Sequence, residues 1–521
     1  YQDDNYRSQW PWRDWVIHAF NENLPYDKFV TWQLAGDLIP DATKEQILAT
    51  GFNRNHKITE EGGVIDEEYR VEYVVDRTNT LGTAILGMTI ECAKCHDHKY
   101  DPISQKDFYQ LSAFFNSIKE VGLESTVGGH ETFAKNPRMN ITQEDLKGVL
   151  NFITSTDTSG LQVSVMKDMD TARKTYILSR GVYDQHAEQV QPGTPNAIMG
   201  FPAGLPDNRL GLSEWLFNAK NPLTARVFVN RIWQEVFGNG IVKTSNDFGM
   251  QGSLPVNPKL LDWLAVDFRE NGWNIKRLVK QIYMSATYRQ SSVITPEKLK
   301  ADPGNIYLSY APRIRMNAEM VRDMALASSG LLQPIIGGPS VKPYQPPGLW
   351  ELATSGRGLL ASYKQDHGDK LYRRGLYTFI KRTVPPPSMM IFDASNRDQC
   401  EVKRSRTNTP LQALIMMNDP TILEASVALA DYLTQKEEKP EAAVTDAFLR
   451  IINRHPAKQE QDILLAYLNE QQAYFKANPA TIEKVIKAGE YKMKSAPAPE
   501  VAALARLVQV IYNMDEAITK T

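Results

Sequence analysis

Three cysteines are all that this 521-residue sequence contains: Cys92, Cys95 and Cys400. It has no second Cys-x-x-Cys and no His-x-x-x-His. A structural zinc site, which wants four ligands, is therefore short of donors. No run of about eighteen apolar residues occurs, so nothing in the chain is expected to span a membrane. A large excess of charge of one sign is missing too. The net charge is −2, with no long basic stripe, which argues against a nucleic-acid binder. No repeat of fixed period is present. The chain opens Tyr1-Gln2-Asp3-Asp4 without an initiator Met or a signal peptide, and so reads as a processed or partial chain whose start says little about targeting. What remains is ordinary globular composition, 42% apolar and 23% charged, at a length expected to hold two to four domains.

Two of the three cysteines fall in Glu91-Cys92-Ala93-Lys94-Cys95-His96-Asp97-His98-Lys99-Tyr100-Asp101-Pro102. Cys-x-x-Cys-His is the attachment pattern for c-type haem. Two thiols at that spacing add to the vinyl groups along one porphyrin edge, and the next residue, His96, is held beneath the iron as proximal ligand. Other readings of the pair are a short disulfide, a thioredoxin-like redox couple, or part of a zinc site with His96 or His98. Haem c as cofactor implies a periplasmic or extracellular location, where cytochromes c mature. Cys400 is then left without a partner.

The fold is read as mainly α, with three parts. Residues 1–120 are expected to form a cytochrome c-like helical haem domain. Residues 121–205 are expected to form a linker with a small β element. Residues 206–521 are expected to form a larger, mostly helical domain with a helical tail. Trp10, Trp12, Trp15, Val16 and Phe20 recur at helical spacing until Asn23-Leu24-Pro25 breaks the run. Thr43 and Ser104 are candidate helix caps. Leu161–Met166 alternates as a half-buried strand should, and Lys174–Leu178 is its expected partner. Asn221-Pro222 and Asn257-Pro258 each read as a cap followed by proline at the first helical position. The tail from 440 onward is read as a peripheral helical bundle.

Several polar constellations are candidates for chemistry. Arg54–Gly63 is a polar loop ending in two glycines, and His56 within it is the leading candidate for a distal iron ligand. His18, His130 and Met139 are further candidates; His98 lies too close in sequence to reach over the ring. Glu67–Ile90 reads as one helix, about 35 Å long if unbroken at about 1.5 Å per residue. His56 reaches the iron only if that helix breaks, and Thr80–Thr83 or Gly87 is the expected place. With Arg54 beside it, His56 standing off the iron instead suits a peroxidase-like site. Asp97, Lys99, Tyr100 and Asp101 are candidates to hydrogen-bond the propionates or His96. A second group, Arg397, Cys400, Arg404 and Arg406, fits either an anion site or a reactive thiol. Its plainer reading is a buried cysteine with arginines bracing the fold through Glu319 and Asp323.

The segment from Trp10 to Ser117 resembles the cytochrome-like domain PSCyt2 (DUF1549). It does so through Trp12-Arg13-Asp14-Trp15-Val16-Ile17, Ala35-Gly36-Asp37-Leu38, Arg54-Asn55-His56, Glu61-Gly62-Gly63 and Cys92 through Pro102. From about 206 to 470 the chain resembles the partner domain PSD1 (DUF1553), through Asn221-Pro222-Leu223-Thr224-Ala225-Arg226, Val229-Asn230-Arg231, Gly337-Gly338-Pro339-Ser340-Val341 and Arg406-Thr407-Asn408-Thr409-Pro410-Leu411-Gln412-Ala413-Leu414. The resemblance implies an exported haem protein. Electron transfer to other cytochromes or redox proteins is the first expectation. The alternatives are a haem-dependent oxidoreductase or peroxidase-like enzyme on a small or carbohydrate substrate, and a structural component, homo-oligomeric or within an extracellular assembly.

Overall fold

The computed structural model describes residues 6–123, 134–155, 157–356, 358, 360–436 and 439–520, so His130 lies outside the described residues. The protein is mainly α, with about half of the chain helical and a few small sheets. Helix α1 (Trp10–Asn21) ends at the expected break, and α2 (Tyr26–Ala35) follows. Helix α3 (Lys44–Ala49) starts at Thr43, whose hydroxyl accepts from the Gln46 amide while the Gln46 side chain accepts from the Thr43 amide. Helix α4 (Asp66–Leu81) carries three acids in its first turn, where they meet the positive end of the helix dipole. Helix α5 (Gln105–Asn116) is capped by Ser104, with Asp107 closing the box.

Among the described residues the β content is three separate antiparallel pairs, one of them a two-residue contact between Ile314–Arg315 and Thr519–Lys520. Strand β1 (Arg138–Asn140) pairs with β2 (Gln162–Ser164), and β3 (Thr175–Leu178) pairs with β4 (His186–Val190). The expected β2–β3 partnership is therefore wrong. Each strand finds its partner across a different loop, and alternation alone carries no pairing information. Helix Pro258–Glu270 starts at the Asn257 cap as expected. Helix Thr224–Phe237 starts two residues later than the Asn221-Pro222 signal, because the Asn221 side chain closes a turn onto the Leu223 amide instead.

Apolar residues gather in three clusters. The largest takes Val30, Leu34, Leu81, Phe108 and Phe115 from the first 120 residues, and Trp215, Phe228, Leu264 and Phe268 from beyond 206. One core thus runs through both segments. The second begins at helix Ala318–Ser329 and packs it against Pro420–Lys436, Pro440–Ile452, Lys458–Ala477 and Pro499–Tyr512. The tail is accordingly not peripheral: Leu507, Val508, Ile511 and Tyr512 are fully buried and form the centre of this cluster. A small third cluster joins Trp15 and Leu48 to Ile141, Ile153 and Val163.

Arg209 fastens the first core. It is fully buried, forks onto both oxygens of Asp37 at 2.8 and 2.7 Å, meets Asp168 at 2.9 Å and donates to the Leu34 carbonyl at 2.6 Å. A guanidinium has the planar donor set for this and an ammonium does not. Removing one partner of a buried ion pair leaves the other charge unpaired, which costs about 3–5 kcal/mol. Arg209→Ala is expected to lower the urea midpoint accordingly, and Arg209→Lys to recover only part of the loss.

Candidate functional site

Helix α4 delivers the chain to the Cys-x-x-Cys-His turn, and it does break before arriving. After Leu81 the helix widens into a π turn over Gly82–Leu86, and Gly87 reverses the chain in the left-handed region at φ 61°. A Cβ there would also meet Phe248 and Val227 at 2.9 Å, so both conformation and space call for glycine. A 3₁₀ turn, Ile90–Lys94, then buries Ile90 and Ala93 and leaves Cys92 and Cys95 exposed, both as free thiols. The turn is pinned from behind: the Lys94 carbonyl accepts from the Tyr109 hydroxyl at 2.9 Å and the Gln105 amide at 3.0 Å.

His96 is exposed, and its Nδ1 lies 2.6 Å from the Asp97 carbonyl. A carbonyl can only accept, so Nδ1 carries the hydrogen and the lone pair resides on Nε2. That is how a metal-ligating histidine is usually oriented. Two free thiols and an imidazole so presented fit the proximal half of a covalent haem site. Of the expected supporting residues, Asp97 acts on His96 through its backbone, while its carboxylate accepts from the Gln105 amide at 2.8 Å. The Lys99 ammonium lies over the Tyr100 ring, and both residues are exposed. Asp101 is buried, accepts from the Met250 amide at 2.6 Å, and its own amide donates to His98 Nδ1 at 2.8 Å. Met88 is buried in the first core.

The distal expectation for His56 is corrected. His56 is buried; its Nδ1 donates to the Lys57 carbonyl at 2.7 Å, and its Nε2 accepts from Arg77 at 2.7 Å. Both ring nitrogens are spent, and burial among Arg77 and Arg54 holds the imidazole neutral, well below its usual pKa. Arg54 is likewise not a neighbour of an open site. It and Arg77 clamp the buried Glu120 carboxylate. The helix break did not carry the loop to the motif, because the loop's charged side chains found closer partners. His18 stacks on Phe152 and Met139 lies in β1, packed against the third cluster.

Arg397, Cys400, Arg404 and Arg406 do not form one group. Arg404 pairs with Glu319 at 2.8 Å, the carboxylate that also faces Arg397. Arg406 points to the Gly238 carbonyl at 3.4 Å. Cys400 is exposed rather than buried, and it faces Arg231, Asp76 and Glu401. Desolvation pushes its thiol above the usual value, so the activated-thiolate reading is also corrected.

Cys400 instead lines a cleft of about 1060 Å³. One wall is a stripe of α4 at helical spacing, Glu72, Asp76 and Asn79, continued by Thr83 in the π turn. The loop Lys57–Gly62 closes one side, and Asp398–Lys403 forms the facing wall. The sequence did contain a signal for this site, a polar stripe opposite the buried Val74 and Leu81, but a solvated helix face has the same pattern. No group of three or more His, Cys, Asp or Glu residues able to hold a metal ion occurs among the described residues.

With this geometry in hand the family follows. Residues 208–468, half of the chain, match the PSD1 model, described as a protein of unknown function (DUF1553), and residues 1–120 match PSCyt2, described likewise (DUF1549). The chain belongs to this PSCyt2–PSD1 family. Among curated proteins and among solved structures no match is found.

Two measurements test this geometry. Burial alone would raise the Glu120 pKa, but Arg77 and Arg54 outweigh it and hold the carboxyl at about 2. A depressed carboxyl stabilises the fold above its unfolded pKa and ceases to do so as pH falls through its folded one. Unfolding free energy should therefore drop by about 3 kcal/mol between about pH 4.5 and pH 2. The decline should begin below about pH 6.5 as unfolded His56 takes up its proton. Glu120→Gln should flatten the lower part of that curve. For Cys400, iodoacetamide should label the thiol in a Cys92→Ser, Cys95→Ser chain without unfolding. The rate at neutral pH should lie below that of a free thiol and rise with pH.

Proposed function

We propose that this protein is an exported c-type haem protein that passes electrons to other cytochromes or redox proteins. Cys92 and Cys95 would make the covalent attachment, and His96 would bind the iron through Nε2. The observation that carries this reading is the pairing of two exposed, unpaired thiols with a histidine whose other nitrogen is already fixed by the Asp97 carbonyl. When bound, the haem supplies a one-electron redox centre. The chain's own part is to hold the turn still. Tyr109 and Gln105 anchor the Lys94 carbonyl, and Asp97 sets the tautomer of His96. The exposure of the motif favours exchange with an outside partner over chemistry in an enclosed pocket. The periplasm or extracellular space is the matching location.

The state of His56 supports a second reading, a haem-dependent oxidoreductase. With both its nitrogens engaged inside the protein, His56 would not serve as a second ligand to a bound haem, which would suit chemistry on a small molecule.

Production in a host with cytochrome c maturation machinery, followed by intact mass under denaturing conditions, should show one haem added to the chain. A bare polypeptide mass would sink the proposal. His96→Ala should alter the visible spectrum while leaving the attachment in place. His56→Ala should leave the spectrum unchanged.

A further inference from the structure

A haem held by His96 alone has one axial position of its iron unassigned, and the side chains expected to fill it are engaged elsewhere. Both ring nitrogens of His56 are spent inside the protein. The Nδ1 of His98 accepts from the Asp101 amide at 2.8 Å. Met88 lies in the first core and Met139 packs against the third cluster.

One loop from beyond residue 206 is fastened to both ends of the cysteine turn. The Phe248 amide donates to the Gly87 carbonyl at 2.7 Å, where the chain enters the turn. The Met250 amide donates to Asp101 at 2.6 Å, where the chain leaves it. Gly249, between them, sits so close that a Cβ would lie 2.5 Å from both Asp101 carboxylate oxygens. The loop is held from its own side as well: Asp247 accepts from the Gly249 amide at 2.8 Å, and the Thr244 hydroxyl donates to the Asp247 carbonyl at 2.7 Å.

The backbone of Met250 is thus fixed against the turn while its side chain is left in solvent. At 72% it is the most exposed methionine among the described residues. Methionine is ordinarily a core residue, valued for filling apolar gaps, and here it fills none. Tyr100, in the turn, is 50% exposed, and Leu254, on the same loop as Met250, is 88% exposed. One exposed apolar residue is ordinary. Three of them, on the turn that presents two free thiols and on the loop seated against it, make an apolar border of the kind a porphyrin covers.

We propose that Met250 is the second axial ligand of the haem, so that the PSD1 segment completes a cofactor site begun by Cys92, Cys95 and His96. The inference rests on the haem reading of those three residues. A thioether is a soft, neutral donor, and a histidine–methionine pair fills both axial positions and favours the reduced iron. That suits electron transfer and disfavours binding of an outside ligand. The rival is His186, exposed and stacked on Tyr176 in the β3–β4 hairpin, which reaches the turn through Gln105, a donor to both the Leu178 and Lys94 carbonyls.

The full chain made with cytochrome c maturation machinery, compared with the same chain made without it, tests this. Brief peroxide treatment and peptide mass spectrometry should find Met250 oxidised quickly in the haem-free chain and protected in the loaded one. Met284, 60% exposed, should oxidise alike in both. The loaded ferric protein should be low-spin and show the far-red charge-transfer band of sulfur-ligated haem. Met250→Leu should abolish that band, lower the midpoint potential and tighten binding of added imidazole by about ten-fold or more. Met250→His should restore the low-spin spectrum without the band, and Met284→Leu should change nothing. Attached haem with a spectrum indifferent to Met250→Leu would overturn the proposal, as would equal oxidation of Met250 in the two chains, or loss of the low-spin state in His186→Ala instead. A chain that takes up no haem would overturn this inference and the electron-transfer reading together, so the two failures are told apart.

Discussion

One buried carboxylate holds the functional half of this molecule in shape. Glu120 lies beyond α5, Arg54 precedes the Lys57–Gly62 loop, and Arg77 sits in the middle of α4. Two guanidiniums converging on one carboxylate leave a net positive charge in the interior. That arrangement is costly unless the donors are used elsewhere in the interior. Most are. Arg77 also donates to the Asn53 carbonyl at 2.8 Å and to His56, and Arg54 to the Asn136 carbonyl at 2.8 Å. The backbone around Glu120 is gripped in turn by Arg173, which donates to the Ile118 and Glu120 carbonyls at 2.6 and 3.1 Å. Loop, helix and post-helical segment are thereby locked together, and the cleft wall and the entry to the Cys-x-x-Cys-His turn inherit their positions from that lock.

The same logic explains why the two family segments are not independent bodies around the site. The main core draws from residues before 120 and after 206, and Arg209 bridges Asp37 and Asp168 across that divide. Asp101 of the cysteine turn accepts the Met250 amide so closely that a Cβ on neighbouring Gly249 would lie 2.5 Å from its carboxylate oxygens. The cysteine turn is therefore seated on the PSD1 segment. The cleft, too, has one wall from each. Whatever binds at either place meets a surface that neither segment builds alone.

The helical class, the caps at Thr43, Ser104 and Asn257, the break near Gly87 and the cysteine turn were legible in the sequence. Each is set by local chemistry: a hydroxyl or amide reaching a nearby N–H, a glycine tolerating positive φ, a thiol spacing. Strand partners were not legible, because β2 and β3 carry the right alternation and say nothing of register. His56 was misread for a related reason. A histidine beside an arginine in a polar loop looks available until the residues 21 and 64 positions further on, Arg77 and Glu120, are brought beside it. Cys400 was expected inside because the other two cysteines belong to the Cys-x-x-Cys-His turn and its arginine neighbours were read as bracing the fold, yet it faces a cleft whose other wall is more than three hundred residues earlier.

By itself, then, the sequence determined the local elements, the pair of thiols at Cys-x-x-Cys-His spacing, and the resemblance to a two-segment family. Tertiary structure alone decided which charges found partners. Arg54, Arg77 and Glu120 consumed one another and His56 with them, while Asp76, Glu91, Asp398 and Glu401 came to line a shared cleft with Lys57, Arg382 and Lys403. Ion pairing depends on distances of a few ångströms between groups far apart in the chain, and no one-dimensional pattern encodes those distances.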